Sequence, residues 1–236
     1  MPDLEIRNED FFFLRCGDPA RISATVVDLC KRRLPESYGF SALTDIQVLT
    51  PSRKGELGTQ ELNKKLQQVL NPPDSRKSEL RVNGSIFRVG DKVMQIRNDY
   101  NLPWTRSDGS VGEGVFNGDL GIVQEIDRRV PVLTVRMDDR IVAYESEAAA
   151  ELELAYAMTV HKSQGNEFPA VVIPMFRGAP QLAYRNLLYT AVTRAKSLLI
   201  LVGTPETVRN MVENNRKTRR YTGLLYLLTG GGEDES

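Results

Sequence analysis

Residues 155–168 read AYAMTVHKSQGNEF, and the apolar run AVVI follows at residues 170–173. The order is apolar, then polar, then one glycine and one carboxylate, and then apolar again. This order is typical of a buried strand that ends in a polar turn at the edge of an α/β sheet, where parallel strands present ligand-binding groups. The stretch therefore predicts an α/β fold with a ligand-binding turn near Gly165.

Composition limits the classes of protein to consider. A chain of 236 residues suits one large domain or two small ones. Hydrophobic residues at 41% and charged residues at 26% are ordinary for a globular protein. The 31 basic residues balance 31 acidic ones, so no global field attracts a polyanion. Any contact with nucleic acid must therefore come from a local patch of charge.

The cysteines and the apolar runs predict the compartment. Cys16 and Cys30 fit no metal-ligand spacing, and the sequence favours two buried thiols in a reducing compartment over one disulfide. No apolar run approaches the ~20 residues that span a bilayer. The first 20 residues lack a signal-peptide pattern. We expect a cytoplasmic protein without a membrane partner.

Strands and helices alternate at both ends of the chain. Asp18 is predicted to cap a first helix that Pro35 ends, and Thr59 is predicted to cap a second helix. Such alternation implies a parallel sheet with right-handed crossovers. The predicted strands are residues 11–15, 45–50 and 197–203, and further helices are predicted at residues 181–195 and 205–214.

The middle of the chain has a different pattern, without helical periodicity from about residue 80 to residue 149. Asn117-Gly118 and Asp138-Asp139 are predicted hairpin turns, and residues 98–115 are predicted to form a long mobile loop. Short strands are predicted at residues 85–88, 92–96, 120–126, 132–136 and 141–144, which together suggest a small barrel. The predicted domains are a discontinuous α/β domain (1–82 and 151–229), the inserted barrel (83–150) and a disordered tail (230–236).

The polar turn after residue 158 offers several hydrogen-bond donors to a phosphate or a nucleic acid. Gly165 lets a ligand approach the backbone. His161 has no partner carboxylate in the pattern, so we assign it to contact rather than to proton transfer. A solvated strand-to-turn junction would explain any one of these residues, but the whole string favours binding. The predicted contacts are Thr159, His161, Lys162, Ser163 and Gln164.

Three further segments carry candidate binding residues. Arg53 and Lys54 lie in a loop just before a predicted helix, where an anion contact competes with the alternative of a solvated loop. The basic run 216–220 fits a solvated helix end or a DNA clamp. In the barrel, cations alternate with aromatic residues, a pattern that can follow a nucleic-acid backbone and stack bases. These residues are Lys92, Arg97, Asn98, Tyr100, Trp104 and Arg106, of which Trp104 fits a hydrophobic plug equally well.

Arg194 follows a predicted helix and precedes an apolar strand. A cation at the C-terminal end of a helix is stabilising whatever its purpose. Beside the polar turn, however, a guanidinium suits contact with the charge that develops on a transferring γ-phosphate. The sequence predicts no metal site.

Four blocks of the sequence resemble superfamily 1 helicases, and their motifs are most similar to those of the RecD-like branch. Residues 45–70 resemble the motif IV region, residues 155–168 motif V and residues 187–196 motif VI. Residues 88–100 and 115–121 resemble the inserted SH3-like barrel. The resemblance implies a RecA-like parallel-sheet domain (the second motor domain) with an SH3-like barrel inserted. It also implies an ATP-dependent DNA helicase, such as the exodeoxyribonuclease V alpha subunit, that moves 5′-to-3′ on single-stranded DNA in repair and recombination.

The resemblance also implies roles for individual residues. Arg194 would be the motif VI arginine that faces the γ-phosphate of ATP. Gly165 and Glu167 would line the nucleotide cleft, with either Arg53 or Lys54 as the motif IV cation. The implied DNA contacts are Thr50, Pro51, Thr159, His161, Lys162, Ser163, Gln164, Arg97, Asn98 and Tyr100.

The sequence departs from the family pattern in one important respect. It has no G-x-x-x-x-G-K-S/T phosphate cradle and no Asp-Glu pair at the end of an apolar strand to hold Mg²⁺. In the family these belong to the first RecA-like domain, so we expect ATP and Mg²⁺ to bind the full-length protein, and neither to bind this chain tightly. We expect the chain alone not to hydrolyse ATP. The expected partners are single-stranded DNA, the missing N-terminal RecA-like domain and other exodeoxyribonuclease V subunits.

Two alternatives stay open at this point. The chain could be a non-catalytic DNA-binding or subunit-docking module derived from a helicase. It could also belong to a Pif1-like or relaxase-linked helicase, since those share the barrel insertion.

Overall fold

The computed structural model describes residues 9–145, 147–176 and 184–215 and contains two large sheets of different kinds. The first sheet is parallel, and its five strands are β1 (Phe11–Arg15), β2 (Ile46–Thr50), β12 (Ala157–Thr159), β13 (Phe168–Met175) and β14 (Ala195–Gly203). The second is antiparallel, and its seven strands are β5 (Lys92–Gln95), β6 (Asp99–Arg106), β7 (Val111–Val115), β8 (Leu120–Asp127), β9 (Val132–Met137), β10 (Arg140–Tyr144) and β11 (Leu152–Leu154). A separate hairpin consists of β3 (Glu79–Val82) and β4 (Ser85–Arg88).

Helices cover both faces of the parallel sheet, whose strand order is β1-β14-β13-β2-β12. The helices are α1 (Pro19–Asp28), a π-helical turn (Leu29–Arg33), α2 (Leu34–Tyr38), α3 (Thr59–Leu70), α4 (Arg185–Val192) and α5 (Pro205–Glu213). Successive side chains of β14 point to opposite faces. Leu198 and Ile200 pack in the core with α1 and α3, and Leu199 and Leu201 in the core with α4 and α5. This arrangement explains why β14 is apolar at consecutive positions.

The antiparallel sheet has the order β11-β5-β8-β9-β10-β6-β7 and encloses a core of its own. Leu133, Val135 and Val142 are fully buried there. Tyr144 is also buried, and its hydroxyl donates to Gln95 Oε1 at 3.0 Å. β11, which the sequence assigns to the α/β part, pairs with β5. The last strand of this sheet therefore leads directly into β12 of the parallel sheet.

Residues 98–115 do not form the predicted loop. They form β6 and β7, an antiparallel hairpin in which Trp104 lies opposite Gly112. A side chain at Gly112 would collide with the Trp104 ring, so the packing of the ring requires a glycine. The glycine that made this segment look like a loop is therefore needed within a strand, where it makes room for the Trp104 ring. Asn117-Gly118 is likewise a turn between β7 and β8, which do not pair, rather than a hairpin.

The first helix begins as predicted and continues further than predicted. Asp18 caps it, accepting a hydrogen bond from the Arg21 backbone N–H at 2.9 Å. Pro35 does not end the helical region, because the π-helical turn precedes it and Pro35 then lies in the first turn of α2. The region ends at Gly39, whose φ of 70° is left-handed. Helix α3 has Gly58 rather than Thr59 as its N-cap residue.

A buried carboxylate connects the barrel to the α/β part. Asp91, between β4 and β5, is fully buried. It accepts hydrogen bonds from Gln67 Nε2 (2.6 Å), Asn71 Nδ2 (2.6 Å), the Tyr156 hydroxyl (2.8 Å) and the Arg88 backbone N–H (2.7 Å). Burial raises the pKa of Asp91, while these hydrogen bonds lower it. The donors come from α3, from the barrel and from the segment before β12, so one side chain links all three.

Lys92, the next residue, is buried, and this corrects its prediction as a nucleic-acid contact. Its Nζ donates to the Ile46 carbonyl at 3.3 Å and lies 5.7 Å from the centre of the Phe168 ring. Burial lowers the pKa of Lys92 to about 8. The side chain therefore ties the barrel to the core of the parallel sheet.

Cys30 is buried as predicted, Cys16 is only partly buried, and both are free thiols. Several predictions fall outside the described residues. These are the start of the helix predicted at 181, the basic run 216–220 and the disordered tail 230–236.

Candidate functional site

The polar turn begins where β12 ends beside β2. Thr159 is paired with Thr50 across the two strands. The Thr159 hydroxyl accepts from the Lys162 backbone N–H at 3.4 Å and so caps a 3-10 turn over Val160–Ser163. Gly165 follows with a φ of 89°, a left-handed conformation that favours glycine. Apart from its chain neighbours, no atom of the described residues lies within 4 Å of the position of a Cβ at Gly165, which leaves the backbone there open to a ligand.

Two predicted DNA contacts are buried. The Thr50 hydroxyl donates to the Leu57 carbonyl at 2.7 Å, and the Ser163 hydroxyl donates to the Val160 carbonyl at 2.8 Å. Both hydroxyls hold the turns in shape and do not face a ligand, which corrects the expectation that these side chains contact DNA directly.

The turn presents its other polar side chains outward. His161 and Gln164 are exposed, while Thr159 and Lys162 are partly buried. His161 Nε2 lies 3.4 Å from the Tyr184 hydroxyl. Tyr184 is not among the predicted contacts, because no local pattern relates it to a turn 23 residues earlier. Pro51, at the start of the loop after β2, is partly buried.

Arg194 lies against the same turn. Its NH1 donates to the Asn166 carbonyl at 3.1 Å, its Nε to the Thr190 carbonyl at 3.2 Å and its NH2 to the Thr193 hydroxyl at 3.3 Å. The Arg194 carbonyl accepts from the Phe168 backbone N–H at 2.8 Å. We call these residues the Arg194 cluster. Asn166 lies between Gly165 and Glu167. The guanidinium therefore contacts the segment that is predicted to line the nucleotide cleft.

Two further contacts position this segment. Glu167 faces Lys196 at 3.7 Å, and both side chains are more than half exposed, so this ion pair contributes little stability. Asn166 Nδ2 donates to the Gly118 carbonyl at 3.3 Å. Gly118 belongs to the turn before β8, so the segment that contacts Arg194 also contacts the barrel. Asn166 is not among the predicted site residues.

A second group of charges surrounds Glu153 in β11. Arg53 NH2 lies 2.5 Å from Glu153 Oε1, and Lys162 Nζ lies 3.3 Å from Glu153 Oε2. We call these three residues the Glu153 cluster. Thr59 and Thr159 line the same small surface depression. Glu153 is not among the predicted site residues, because nothing in its local pattern distinguishes it from a solvated glutamate.

The two clusters lie at different edges of the parallel sheet. All neighbouring strands in this sheet are parallel. The loops that follow β2 and β12 therefore leave one edge, and the starts of β13 and β14 lie at the opposite edge. Arg53 and Lys54 follow β2, whereas Arg194 precedes β14. The structure does not bring Arg53 or Lys54 to the Arg194 cluster, which corrects the grouping predicted from sequence.

The barrel presents an exposed aromatic pair near the predicted contacts. The rings of Tyr100 and Phe116 meet edge to face with centroids 5.8 Å apart. Asn98 accepts from the Asn117 backbone N–H at 2.9 Å, and its Nδ2 donates to the Tyr100 hydroxyl at 3.2 Å. Arg97 is exposed beside them. Phe116 is not among the predicted contacts, although it is 44% exposed and is able to stack with a base.

Trp104 is not part of this exposed pair. Its ring packs over Gly112, and the Arg106 guanidinium lies 4.6 Å from the ring centre. Arg106 also pairs with Asp139 at 2.8 Å. The contacts favour the interpretation of Trp104 as a plug over that of a base-stacking platform.

Within the described ranges, no group of three or more His, Cys, Asp and Glu side chains is arranged to hold a metal ion. None of the helices in that part of the chain is long and apolar enough to cross a membrane.

Two family descriptions match the chain. Residues 62–137 match the ATP-dependent RecD-like DNA helicase SH3 domain, and residues 154–202 match the UvrD-like helicase C-terminal domain. The chain is 35% identical over 180 residues to the ATP-dependent RecD2 DNA helicase of Deinococcus radiodurans, covering 76% of the chain and 23% of that protein. It is 29% identical over 200 residues to the RecBCD enzyme subunit RecD of Mycolicibacterium smegmatis, covering 82% of the chain and 31% of the subunit. The chain thus spans less than a third of the length of either relative.

Among solved structures, the Pif1 helicase from Bacteroides in complex with ADP-AlF3 and single-stranded DNA is similar at a TM-score of 0.48 and 20% identity. That comparison covers 89% of this chain and 50% of the other. The predicted fold class is confirmed by the sheets and the SH3 match: a RecA-like parallel-sheet domain with an inserted SH3-like barrel. The chain belongs to the RecD-like branch of the superfamily 1 helicases and corresponds to the C-terminal part of its members.

Proposed function

We propose that this chain is the second half of an ATP-driven DNA motor. The whole protein is then an ATP-dependent helicase that moves 5′-to-3′ on single-stranded DNA in repair and recombination. ATP and Mg²⁺ bind between this chain and an N-terminal RecA-like domain that carries the phosphate cradle. The name of one relative, the ATP-dependent RecD2 DNA helicase, supports the helicase activity. The absence of the cradle motif from this sequence supports the division into two halves.

The position of Arg194 is the observation that carries the proposal. A guanidinium has five N–H donors, and three nitrogens of Arg194 each donate within the cluster. Within the described part of the chain, two N–H groups therefore stay available for a ligand. The three bonds hold the guanidinium in place before the ligand arrives, so little side-chain entropy is lost on binding. A γ-phosphate beside Gly165 would meet these two donors, and they would stabilise the charge that develops during transfer.

Glu167 suits a role at the ribose of the same nucleotide. Its carboxylate is exposed, and among the residues that the structure describes the weak Lys196 pair is the one ion pair that competes for it. A carboxylate accepts hydrogen bonds from hydroxyl groups. Arg53 and Lys54, at the other edge of the sheet, are then assigned to the DNA side rather than to the nucleotide.

The DNA contacts are proposed on the turn and on the barrel. His161, Lys162 and Gln164 offer donors to phosphate oxygens. Arg97, Asn98 and the Tyr100 ring extend this surface on the barrel, where an aromatic face can stack a base. Thr50 and Ser163 do not contact the DNA themselves, and their hydroxyls fix the loops that carry these groups.

We also propose the domain division and the partners. The inserted barrel comprises residues 83–150 together with β11 (Leu152–Leu154), which pairs with β5, and the motor domain comprises residues 1–82 and 155–229. The partners are single-stranded DNA, the N-terminal RecA-like domain and, as for the RecD subunit of RecBCD enzyme, further subunits of a nuclease complex. The protein acts in the cytoplasm, where the Cys30 thiol stays reduced.

A paired measurement on the 236-residue chain tests the proposal. Fluorescence anisotropy with labelled oligo-dT is expected to show binding, and a coupled assay with the same DNA is expected to show no ATP turnover above background. The intact protein is expected to show ATP turnover that single-stranded DNA stimulates. Turnover by the chain alone that Arg194→Ala abolishes would overturn the two-half interpretation, and an intact protein without DNA-stimulated turnover would overturn the motor.

A further inference from the structure

We propose that Glu153 is a built-in substitute for a DNA phosphate, and that the backbone of a bound strand displaces it from Arg53 and Lys162. This inference deepens the proposed function and rests on its DNA-binding side. It assigns a phosphate subsite to the Glu153 cluster and gives an acidic residue a role in setting the affinity of that subsite.

The geometry of the cluster is that of one anion between two cations. Arg53 contacts one carboxylate oxygen at 2.5 Å, and Lys162 contacts the other at 3.3 Å. Two oxygens of a backbone phosphate would present the same two acceptors to the same two donors. The carboxylate therefore holds both cations at a separation that one phosphate can bridge.

The three residues come from separate parts of the fold, so the cluster is a product of tertiary structure. Arg53 lies in the loop after β2, Lys162 in the turn after β12, and Glu153 in β11. Arg53 and Glu153 are 100 residues apart in the chain. Because Glu153 is on a strand of the antiparallel sheet, the anion is supplied from the barrel side and the cations from the motor side.

Exposure and charge favour exchange over permanent pairing. The side chains of Arg53, Glu153 and Lys162 are 55%, 32% and 22% exposed, so water reaches the cluster, and an ion pair under these conditions contributes little. Two cations against one carboxylate leave a net charge of +1. The phosphates of a DNA strand are attracted by this residual charge, and little free energy is lost when one of them replaces the carboxylate. The Thr59 and Thr159 side chains line the same depression.

The consequence for a motor is a weakened grip. A carboxylate that returns to the cations whenever the phosphate leaves lowers the equilibrium affinity of this subsite for DNA and favours release of the strand. Glu153 in this role is an affinity-setting residue and touches neither ATP nor the reacting atoms.

The test compares Glu153→Gln with the unchanged 236-residue chain in binding to labelled oligo-dT over a KCl titration. The expected result is binding that is tighter by about 3- to 10-fold at low salt, with a log-log salt slope steeper by about 0.7, the value of one further phosphate on a single strand. Glu125→Gln, which makes the same charge change on an exposed part of β8, is the matched control and is expected to stay within about twofold.

A double-mutant cycle keeps the test independent of any general effect of Glu153 on folding. Arg53→Gln is expected to weaken binding more in the Glu153→Gln background than in the unchanged chain, because Glu153 then no longer masks Arg53. If the unchanged chain binds oligo-dT and Glu153→Gln binds equally or more weakly, the inference is overturned while the DNA-binding function stands. If neither protein binds oligo-dT, both the inference about Glu153 and the proposed DNA-binding function are overturned.

Discussion

Among single residues, Arg194 shows how a flexible side chain is fixed before it acts. Three acceptors hold its guanidinium, two from the end of α4 (Thr190 and Thr193) and one from the polar turn (Asn166). Lysine at this position would keep the charge but lose the planar fork that reaches the turn and the ligand at once.

Replacing Arg194 by lysine in the intact protein is therefore expected to reduce DNA-stimulated ATP turnover by a factor of about 10³ or more, as loss of an arginine finger does. Binding of labelled oligo-dT is expected to change by less than about twofold, since the guanidinium is not on the DNA side. Arg209→Lys, on the exposed side of α5, serves as control. Retention of a tenth of the turnover by Arg194→Lys would contradict the assigned role.

Lys92 is a residue whose burial makes stability depend on pH. Its pKa is lowered from 10.5 to about 8 in the folded state. Below pH 8 both the folded and the unfolded state bind the proton, and the burial penalty is constant. Between pH 8 and 10.5 the unfolded state binds more protons than the folded state, so this residue makes the free energy of unfolding rise with pH.

Lys92→Met removes this contribution. Relative to the variant, the wild-type chain is expected to gain about 3 kcal/mol in free energy of unfolding between pH 7 and pH 10.5, from a pKa difference of about 2.5 units at 1.36 kcal/mol per unit. Urea unfolding of both proteins at several pH values measures the gain. A difference between the two proteins that stays constant over this range would show that Lys92 is not desolvated.

At the scale of elements, α3, the barrel and the segment before β12 share the Asp91 carboxylate. Four donors occupy the hydrogen-bonding positions of the two carboxylate oxygens. All four donors lie where the barrel meets the α/β part. Such a network stabilises a fixed arrangement because a missing acceptor leaves several buried donors unsatisfied.

Asp91→Asn is thus expected to lower the free energy of unfolding by about 3 kcal/mol or more. The amide nitrogen replaces one acceptor oxygen and then faces two donors, either Gln67 and the Arg88 backbone N–H or Asn71 and the Tyr156 hydroxyl. Urea denaturation provides the measurement. Asp138→Asn is the matched control, since the φ of 53° at Asp138 is one that asparagine tolerates, and a change within about 0.5 kcal/mol is expected there. A loss below 1 kcal/mol at Asp91 would argue against the network.

The hairpin of β6 and β7 depends on one glycine. Gly112→Ala places a methyl group inside the Trp104 ring and is expected to lower stability by about 1–3 kcal/mol through overpacking. Trp104 is the only tryptophan, so its fluorescence reports the hairpin directly. Thr105→Ala, an exposed change in the same hairpin, is the comparison. Equal unfolding midpoints for the two variants would refute the packing argument.

At the scale of the whole molecule, the barrel and the motor domain are joined at several points. Asp91 and Lys92 anchor the base of the barrel, and Asn166 contacts Gly118 in its turn. The net charge of the chain is zero, so attraction of DNA depends on local groups rather than on the overall field. We expect both units to contribute to one binding surface.

Tyr100→Ala tests whether the barrel shares the strand. Loss of one stacked base is expected to weaken oligo-dT binding by about 1–3 kcal/mol, roughly 5- to 150-fold. Tyr189→Ala, which removes an equally exposed tyrosine from α4, is expected to leave binding within about twofold. Anisotropy titrations measure both, and equal affinities for the two variants would remove the barrel from the DNA surface.

The sequence by itself determined the layers of this protein. Apolar runs, caps and turn residues act over a few positions, so β1, β2, β13, β14 and the change to short strands near residue 80 are legible in the chain. The meeting of Arg194 with the segment around Gly165 was also predictable, because both sit next to parallel strands that pair directly.

Only the tertiary structure decided which charges are free and which are occupied. Lys92 and Glu153 look alike in the sequence as solvated charges, yet one is buried under Phe168 and the other holds two cations. The hairpin of β6 and β7 was not predicted, because Gly112 is required by the Trp104 ring on the opposite strand and not by a loop. Burial and ion pairing depend on residues as far as 100 positions apart, and local patterns carry no record of such contacts.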